Sequence, residues 1–222
     1  MLSRLILAMA SQWSEALCCC RSSSQWEPVR ALMTAIIAYG SLINLEQHRQ
    51  GLHLFSDAYP VLVQGYRRVF SQEPSWRQGD RTHRAVLNVI KADEDWFNGV
   101  LIGLHDGSRF DDIDQREIGY DRVLIASSQI APFKKLSRKL SCGQDSNEQI
   151  SNEQVSDAIA AQSTYIYLGK PEKQNNSILP NKDYLALCLR GAQHWGEAFY
   201  EQFLQTTYVG PRPLKSFLER IV

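Results

Sequence analysis

Thr34-Ala35-Ile36-Ile37-Ala38-Tyr39-Gly40-Ser41-Leu42 is the stretch on which the fold turns. Its first six residues form a compact apolar run, the pattern of a buried strand. Gly40-Ser41 stops that run. Asn44, with Gln47 three residues on, forms a capping-box pattern that predicts a short helix through about Arg49, ended by Gly51. A strand that ends in a Gly-Ser turn before a helix aims successive backbone N–H groups in one direction. Such a turn grips an anion, a carboxylate as well as a phosphate. A plain structural turn is the competing reading. The G-x-S-x-G pattern of a nucleophile elbow is absent, which makes Ser41 a poor nucleophile.

Further strands are expected downstream. Val61-Leu62-Val63 runs into Gly65-Tyr66, Ala85 to Ile90 forms a second apolar run, and Phe97 to Leu104 a third. The polar stretch from Glu73 to Arg84, with Pro74 and Gly79, reads as a loop. Phe110 to Glu117 predicts one short helix stopped by Gly119. Tyr120 to Ala126 is a strand with Tyr120, Arg122 and Leu124 on one face. Residues 134–162 are rich in Ser, Asn, Gln, Glu and Lys and repeat N-E-Q-I-S as N-E-Q-V-S, which predicts a flexible polar insertion with at most a transient helix. Thr164 to Leu168 resumes strand character. Leu185, Cys188, Leu189 and Ala192 recur at helical spacing after Asp183. Glu197 to Gln205 carries Phe199 and Phe203, and Leu214, Phe217, Leu218 and Ile221 repeat the spacing a third time. About six strands followed by helices predict an α+β fold.

The chain has 222 residues, 44% hydrophobic and 22% charged, enough for one full core in one domain. Its 24 basic and 24 acidic residues balance, which argues against nucleic acid as a partner. Arg77, Arg81 and Arg84 around Asp80 read as a solvated loop. Five cysteines (Cys18, Cys19, Cys20, Cys142 and Cys188) fit neither a disulfide framework nor a zinc site, and imply a reducing, cytoplasmic compartment. The apolar run near Arg4 is too short for a membrane span and marginal for a signal peptide. Ser22 to Ser24 and Glu27-Pro28 read as linker. Residues 1–32 are therefore expected to be an extension, disordered or loosely helical, and residues 33–222 the domain.

Glu117 is the chemical candidate. It ends a helix and leads into a strand, and both a helix C-terminus and burial raise a carboxyl pKa. Arg116 and Arg122 oppose that rise if they face it. A surface Glu in an ion pair is the alternative reading. His48, His53, His83, His105 and His194 show no metal-ligand spacing, and His194-Trp195 reads as helix capping or packing. Asp111, Asp112 and Asp114 lack the EF-hand pattern and read as a solvated helix face. No metal and no cofactor is expected.

The Y-G-S-L turn after the first strand, F-N-G-V-L-I-G-L, D-I-D-Q-R-E-I-G-Y-D-R and Y-L-A-L-C-L-R-G-A, in that order, resemble the γ-glutamylcyclotransferase-like superfamily from about Ile36 to Thr207. The resemblance implies a small mixed β-barrel of about six strands flanked by helices. It implies a cavity for a γ-glutamyl group, with Glu117 as general acid/base and the backbone of Tyr39, Gly40, Ser41 and Leu42 holding the substrate's α-carboxylate and amine. Tyr120, Tyr165 and Tyr184 fall where the family places pocket aromatics. For each, core packing is the equal alternative. Y-G-S-L-I and G-Y-R-R-V-F are similar to the ChaC-type, glutathione-specific branch. The implied partner is a small γ-glutamyl compound: glutathione, a γ-glutamyl amino acid or a γ-glutamylamine. No nucleic acid or membrane partner is expected, and monomer and homodimer both stay open. A non-catalytic binding module on the same barrel is the alternative function.

Overall fold

The computed structural model describes residues 33–44, 55–75, 81–104, 110–133, 138–141, 144–149 and 151–220. The predicted extension 1–32 and the predicted helix from residue 45 to Arg49 lie outside them, as do His48, His53, His105, Arg77, Asp80, Cys142, Ile221 and the three clustered cysteines.

β1 (Met33–Ala38) is the apolar run, and its core positions Ala35, Ile36, Ile37 and Ala38 are buried. It pairs antiparallel with β3 (His83–Leu104) on one side and parallel with β8 (Gln162–Gly169) on the other. Consecutive residues of β1 from Ala35 to Ala38 point to opposite faces of the sheet and are all buried, which is why its sequence is continuously apolar rather than alternating. β2 (Phe55–Gln72) pairs with β3 over nearly their whole lengths. β4 (Tyr120–Leu124) pairs with β8. The strand path runs β2-β3-β1-β8-β4, and β5 (Ile130–Pro132) pairs with the free side of β2. Residues 125–129 thus carry the chain from β4 to β5, and among the described residues no ladder joins these two strands. The architecture is α+β with a large mixed sheet, and the expected barrel is not closed by hydrogen bonds among the described residues.

Two sequence expectations are corrected here. The two strands expected at Ala85–Ile90 and Phe97–Leu104 are one strand, β3. The polar run Lys91–Trp96 between them is half-buried or exposed, and Gln64 still pairs with Trp96 and Tyr66 with Lys91 across it. Residues 92–95 of β3 are left unpaired opposite Gly65, which has φ +80°, a left-handed conformation that glycine adopts without steric cost. The stretch 134–162 holds regular structure: β6 (Arg138–Ser141), β7 (Gln144–Gln149) and α2 (Asn152–Ala160), which follows α1 (Phe110–Arg116). A reciprocal capping box between Ser151 and Gln154 starts α2, and Val155 and Ile159, four residues apart, bury its inner face. Two apolar residues in a polar sequence suffice once a sheet lies beneath them. Ser41–Ile43, directly after the Gly40 stop, forms a 3-10 turn.

The C-terminal helices are α3 (Lys182–His194), α4 (Glu197–Thr206) and α5 (Leu214–Leu218). Asn181 caps α3 by accepting from the Tyr184 N–H at 3.0 Å. Phe199 and Phe203, both fully buried, are one helical turn apart on α4, and each contributes about 2–3 kcal/mol by leaving water. Three short strands were not legible in the sequence: β9 (Leu179–Pro180), β10 (Thr207–Val209) and β11 (Arg212–Pro213). β10 adds a parallel strand to β2, which ties α4 to the sheet.

The core contains a cation. Arg68 of β2 is fully buried, its guanidinium 3.9 Å from the centre of the Phe203 ring. It donates to the Asn98 carbonyl at 2.6 Å and side chain at 2.9 Å, and to the Thr207 hydroxyl at 2.8 Å. A longer contact of 3.5 Å reaches the Tyr39 carbonyl. Burial lowers its pKa to about 9, so it remains charged at neutral pH. One side chain thereby joins β2, β3, β10 and the end of β1.

Candidate active site

The end of β1, the start of β4 and the first turn of α3 converge on one pocket. Tyr39, Gly40, Ser41, Leu42, Leu87, Glu117, Tyr120, Tyr167 and Tyr184 border it. Seven of the eight residues singled out from the sequence therefore meet in space, although they come from three distant parts of the chain.

Local structure explains each placement. Glu117 follows α1 directly, and its N–H closes the last turn onto the Ile113 carbonyl at 2.8 Å. Tyr120 N–H then returns to the Glu117 carbonyl at 2.8 Å, so the chain reverses over Ile118-Gly119 and enters β4. Gln72 donates to the Gly119 carbonyl at 2.7 Å and fixes the reversal against β2. On the opposite wall, Trp195 donates to the Ile43 carbonyl at 3.0 Å, pinning the 3-10 turn to α3. A Cβ at residue 40 would collide with the Tyr184 hydroxyl, so only glycine lets this turn lie against α3.

The Glu117 side chain is 19% exposed and borders the pocket. Burial raises its pKa, and the nearby positive charge of Arg116 partly counters the rise. The Arg116 Nε lies 3.6 Å from Glu117 Oε1, too far for a good hydrogen bond. The helix end was one reason to expect a raised value. Desolvation is the larger cause.

Phenols surround this carboxyl. Tyr39 donates to the Tyr167 carbonyl at 2.6 Å, Tyr120 to the Leu87 carbonyl at 2.8 Å, and Tyr167 to Asp114 at 2.6 Å. Burial pushes Tyr39, Tyr120 and Tyr184 well above the ordinary phenol range, and Tyr167 also rises. The proximity of Glu117 contributes to all four shifts. A hydrogen bond from the Ser41 backbone N–H to Tyr184 pulls slightly the other way. The phenols thus stay neutral near pH 7, while burial raises the Glu117 carboxyl above the ordinary Glu range.

Tyr165 is the expected site residue that borders neither this pocket nor its neighbour. Its ring packs edge-on against Phe110 at 5.0 Å, beside the Arg122 guanidinium. Tyr167, two residues further along the same face of β8, borders the pocket instead. One pleat repeat is about 6.6 Å, enough to move a side chain from the site to its edge. The alternation in T-Y-I-Y-L was the available signal, but it marks both tyrosines alike. Asp114, read as part of a solvated helix face, holds Tyr167 and also meets Arg122 at 3.3 Å.

Among the described residues, no group of three or more His, Cys, Asp or Glu side chains is placed to hold a metal ion. No described helix is long and apolar enough to cross a membrane.

No protein-family model matches the chain, and no curated protein matches it significantly. Solved structures do resemble it. A γ-glutamyl cyclotransferase superposes with a TM-score of 0.52 at 14% identity, covering 85% of this chain and 99% of its own. An uncharacterised protein from Homo sapiens superposes with a TM-score of 0.52 at 15% identity, covering 86% of this chain and 98% of its own. The chain has the γ-glutamylcyclotransferase-like fold.

Proposed function

We propose that this protein is a γ-glutamylcyclotransferase that converts a γ-glutamyl compound into 5-oxoproline and a free amine, with Glu117 as general acid/base. The observation that carries this reading is the placement of a sheltered carboxyl, its pKa raised by burial, in one pocket with the Tyr39-Gly40-Ser41-Leu42 turn. The fold shared with a γ-glutamyl cyclotransferase supports it.

The chemistry follows from that arrangement. The turn and the Tyr184 hydroxyl receive the α-carboxylate of the γ-glutamyl group. The α-amine then lies near Glu117 and within reach of its own γ-carbonyl. Glu117 takes a proton from the amine, whose nitrogen attacks the γ-carbon and closes a five-membered ring. The bond from that carbon to the leaving nitrogen breaks as Glu117 returns the proton to it. No water is consumed, and the pocket mainly supplies orientation to an intramolecular reaction.

Magnitudes favour a perturbed carboxyl. An ordinary Glu titrates near ~4.3 and an α-amine near ~7.7, a mismatch of about 3.4 units or about 4.6 kcal/mol. Every unit by which burial raises Glu117 removes about 1.4 kcal/mol of that barrier. The neutral phenols add hydrogen bonds without adding charge.

The test is 5-oxoproline release from a panel of glutathione, γ-glutamyl amino acids and γ-glutamylamines. Release by the wild type and loss in Glu117→Gln is the expected result. Tight binding of one member with no release from any would mean a binding module instead. The cysteine content fits a cytosolic site of action, where γ-glutamyl thiols stay reduced.

A further inference from the structure

A second hollow adjoins the first. Ser41, Glu117, Tyr120 and Tyr184 border both, while Ser75, Val86 and Arg116 border only the second. The space open to water is about 50 Å³ in the second against about 30 Å³ in the first. The shared wall contains the proposed acid/base. With a γ-glutamyl group in the first pocket and its γ-carbonyl at Glu117, the leaving nitrogen lies at the boundary. Its substituent then runs into the second hollow.

Arg116 is the one cationic side chain among the described residues that border either hollow. It is held by α1 in the last helical position, directly before Glu117, and is about a third exposed. Among the described residues its carboxylate neighbour is Glu117 at 3.6 Å, a contact too long to be a good hydrogen bond, and the planar fork stays open to solvent. A guanidinium in this state suits bidentate pairing with a carboxylate. Glu73, the other acidic group at this end of β2, is already taken by Arg84 at 2.7 Å and Asn175 at 2.8 Å. Val86 and Pro74 supply an apolar wall, and the Ser75 hydroxyl a neutral polar group.

We propose that this second hollow is a leaving-group subsite in which Arg116 pairs with a carboxylate on the departing amine, so that γ-glutamyl amino acids and γ-glutamyl peptides are used in preference to γ-glutamylamines lacking an acid group. The proposal rests on the cyclotransferase reading above and specifies its substrate class.

Matched pairs test it. Release of 5-oxoproline is measured for γ-glutamyl-alanine against γ-glutamyl-alanine amide, and for glutathione against its C-terminal amide. Wild type, Arg116→Gln and Arg116→Lys are compared by kcat/KM. Arg116 also acts on the Glu117 pKa, but that effect is common to both members of a pair and cancels in their ratio. The wild type favours at least one acid over its amide by about tenfold, the scale of one charge-assisted hydrogen bond. Arg116→Gln brings that ratio close to one, and Arg116→Lys keeps an intermediate preference. An acid-to-amide ratio near one in the wild type overturns the subsite, as does an unchanged ratio in an active Arg116→Gln. If Arg116→Gln does not fold, the wild-type and Arg116→Lys ratios decide. Release from no γ-glutamyl compound overturns the cyclotransferase reading, and the subsite falls with it. Release without acid preference overturns the subsite alone.

Discussion

The hydroxyl of Tyr184 fills the space that a Cβ on Gly40 would need. The two residues are far apart in the chain, yet their contact sets how closely the Tyr39–Leu42 turn lies against α3. A methyl at residue 40 must displace the ring or lift the turn. Gly40→Ala is expected to cost about 1–3 kcal/mol in urea unfolding, the range for overpacking a close contact. Turnover should fall with it. The double variant Gly40→Ala/Tyr184→Phe loses the clashing oxygen and should regain part of the stability, a positive coupling in a double-mutant cycle. Equal stability of Gly40→Ala and wild type would show that the turn does not sit as described.

Glu117→Gln keeps the shape of the side chain and removes its proton chemistry. Turnover should drop by about 10²–10⁴-fold or more, as for other general acid–base groups. Stability should move the opposite way. Because the folded-state pKa of Glu117 is raised, the native state holds the proton more tightly than the unfolded chain does. Its contribution is fully present below the ordinary Glu range and is lost as pH rises through the folded value. The glutamine carries no such penalty. Thermal unfolding at pH 8 should therefore show Glu117→Gln at least as stable as wild type, with the advantage shrinking toward pH 4.

The pH dependence of kcat/KM gives a separate check. The acid limb reports deprotonation of the free enzyme's base. Burial should place that limb above the ordinary Glu range. Arg116 holds the Glu117 pKa down, so Arg116→Gln should move the limb further upward. A limb that stays in place in this variant would mean that another group sets it.

Arg68 is satisfied by carbonyls, hydroxyls and an amide, with no carboxylate among the partners described here. Arg68→Met fills much of the space but strands the Asn98, Thr206 and Thr207 acceptors in the core. A loss of about 3 kcal/mol or more is expected, measured by denaturant unfolding. Arg68→Lys keeps the charge but not the fork and should recover only part of that loss.

The parts of the fold legible in the sequence were those carried by neighbours in the chain. The continuous apolar run of β1, the glycine stops after Tyr39 and Ile118, and the helical spacing of Leu185, Cys188, Leu189 and Ala192 each act over a few residues. The chain order of the Tyr39–Leu42 turn and Glu117 also singled out most residues of the pocket. By contrast, Lys91–Trp96 looked like a break because its polarity is local, while β2 pairs with β3 on both sides of it, at Lys91 and at Trp96. The polar stretch 134–162 hid α2 for the same reason, since the surface that buries Val155 and Ile159 is not part of that stretch.

On its own, the sequence determined an α+β chain with a strand that stops at a Gly-Ser turn, an acidic residue at a helix stop, and amphipathic helices toward the C-terminus. Backbone propensity and apolar periodicity are short-range forces, and they are written where they act. Only the tertiary structure decided that Tyr167 and not Tyr165 faces the pocket, that Arg68 is buried, and that Arg116 borders a second hollow. Each depends on contacts across long stretches of chain, such as the 128 residues between Tyr39 and its acceptor at Tyr167. Desolvation has the same origin: the proton affinity of Glu117 is raised by atoms that the chain brings round it only on folding.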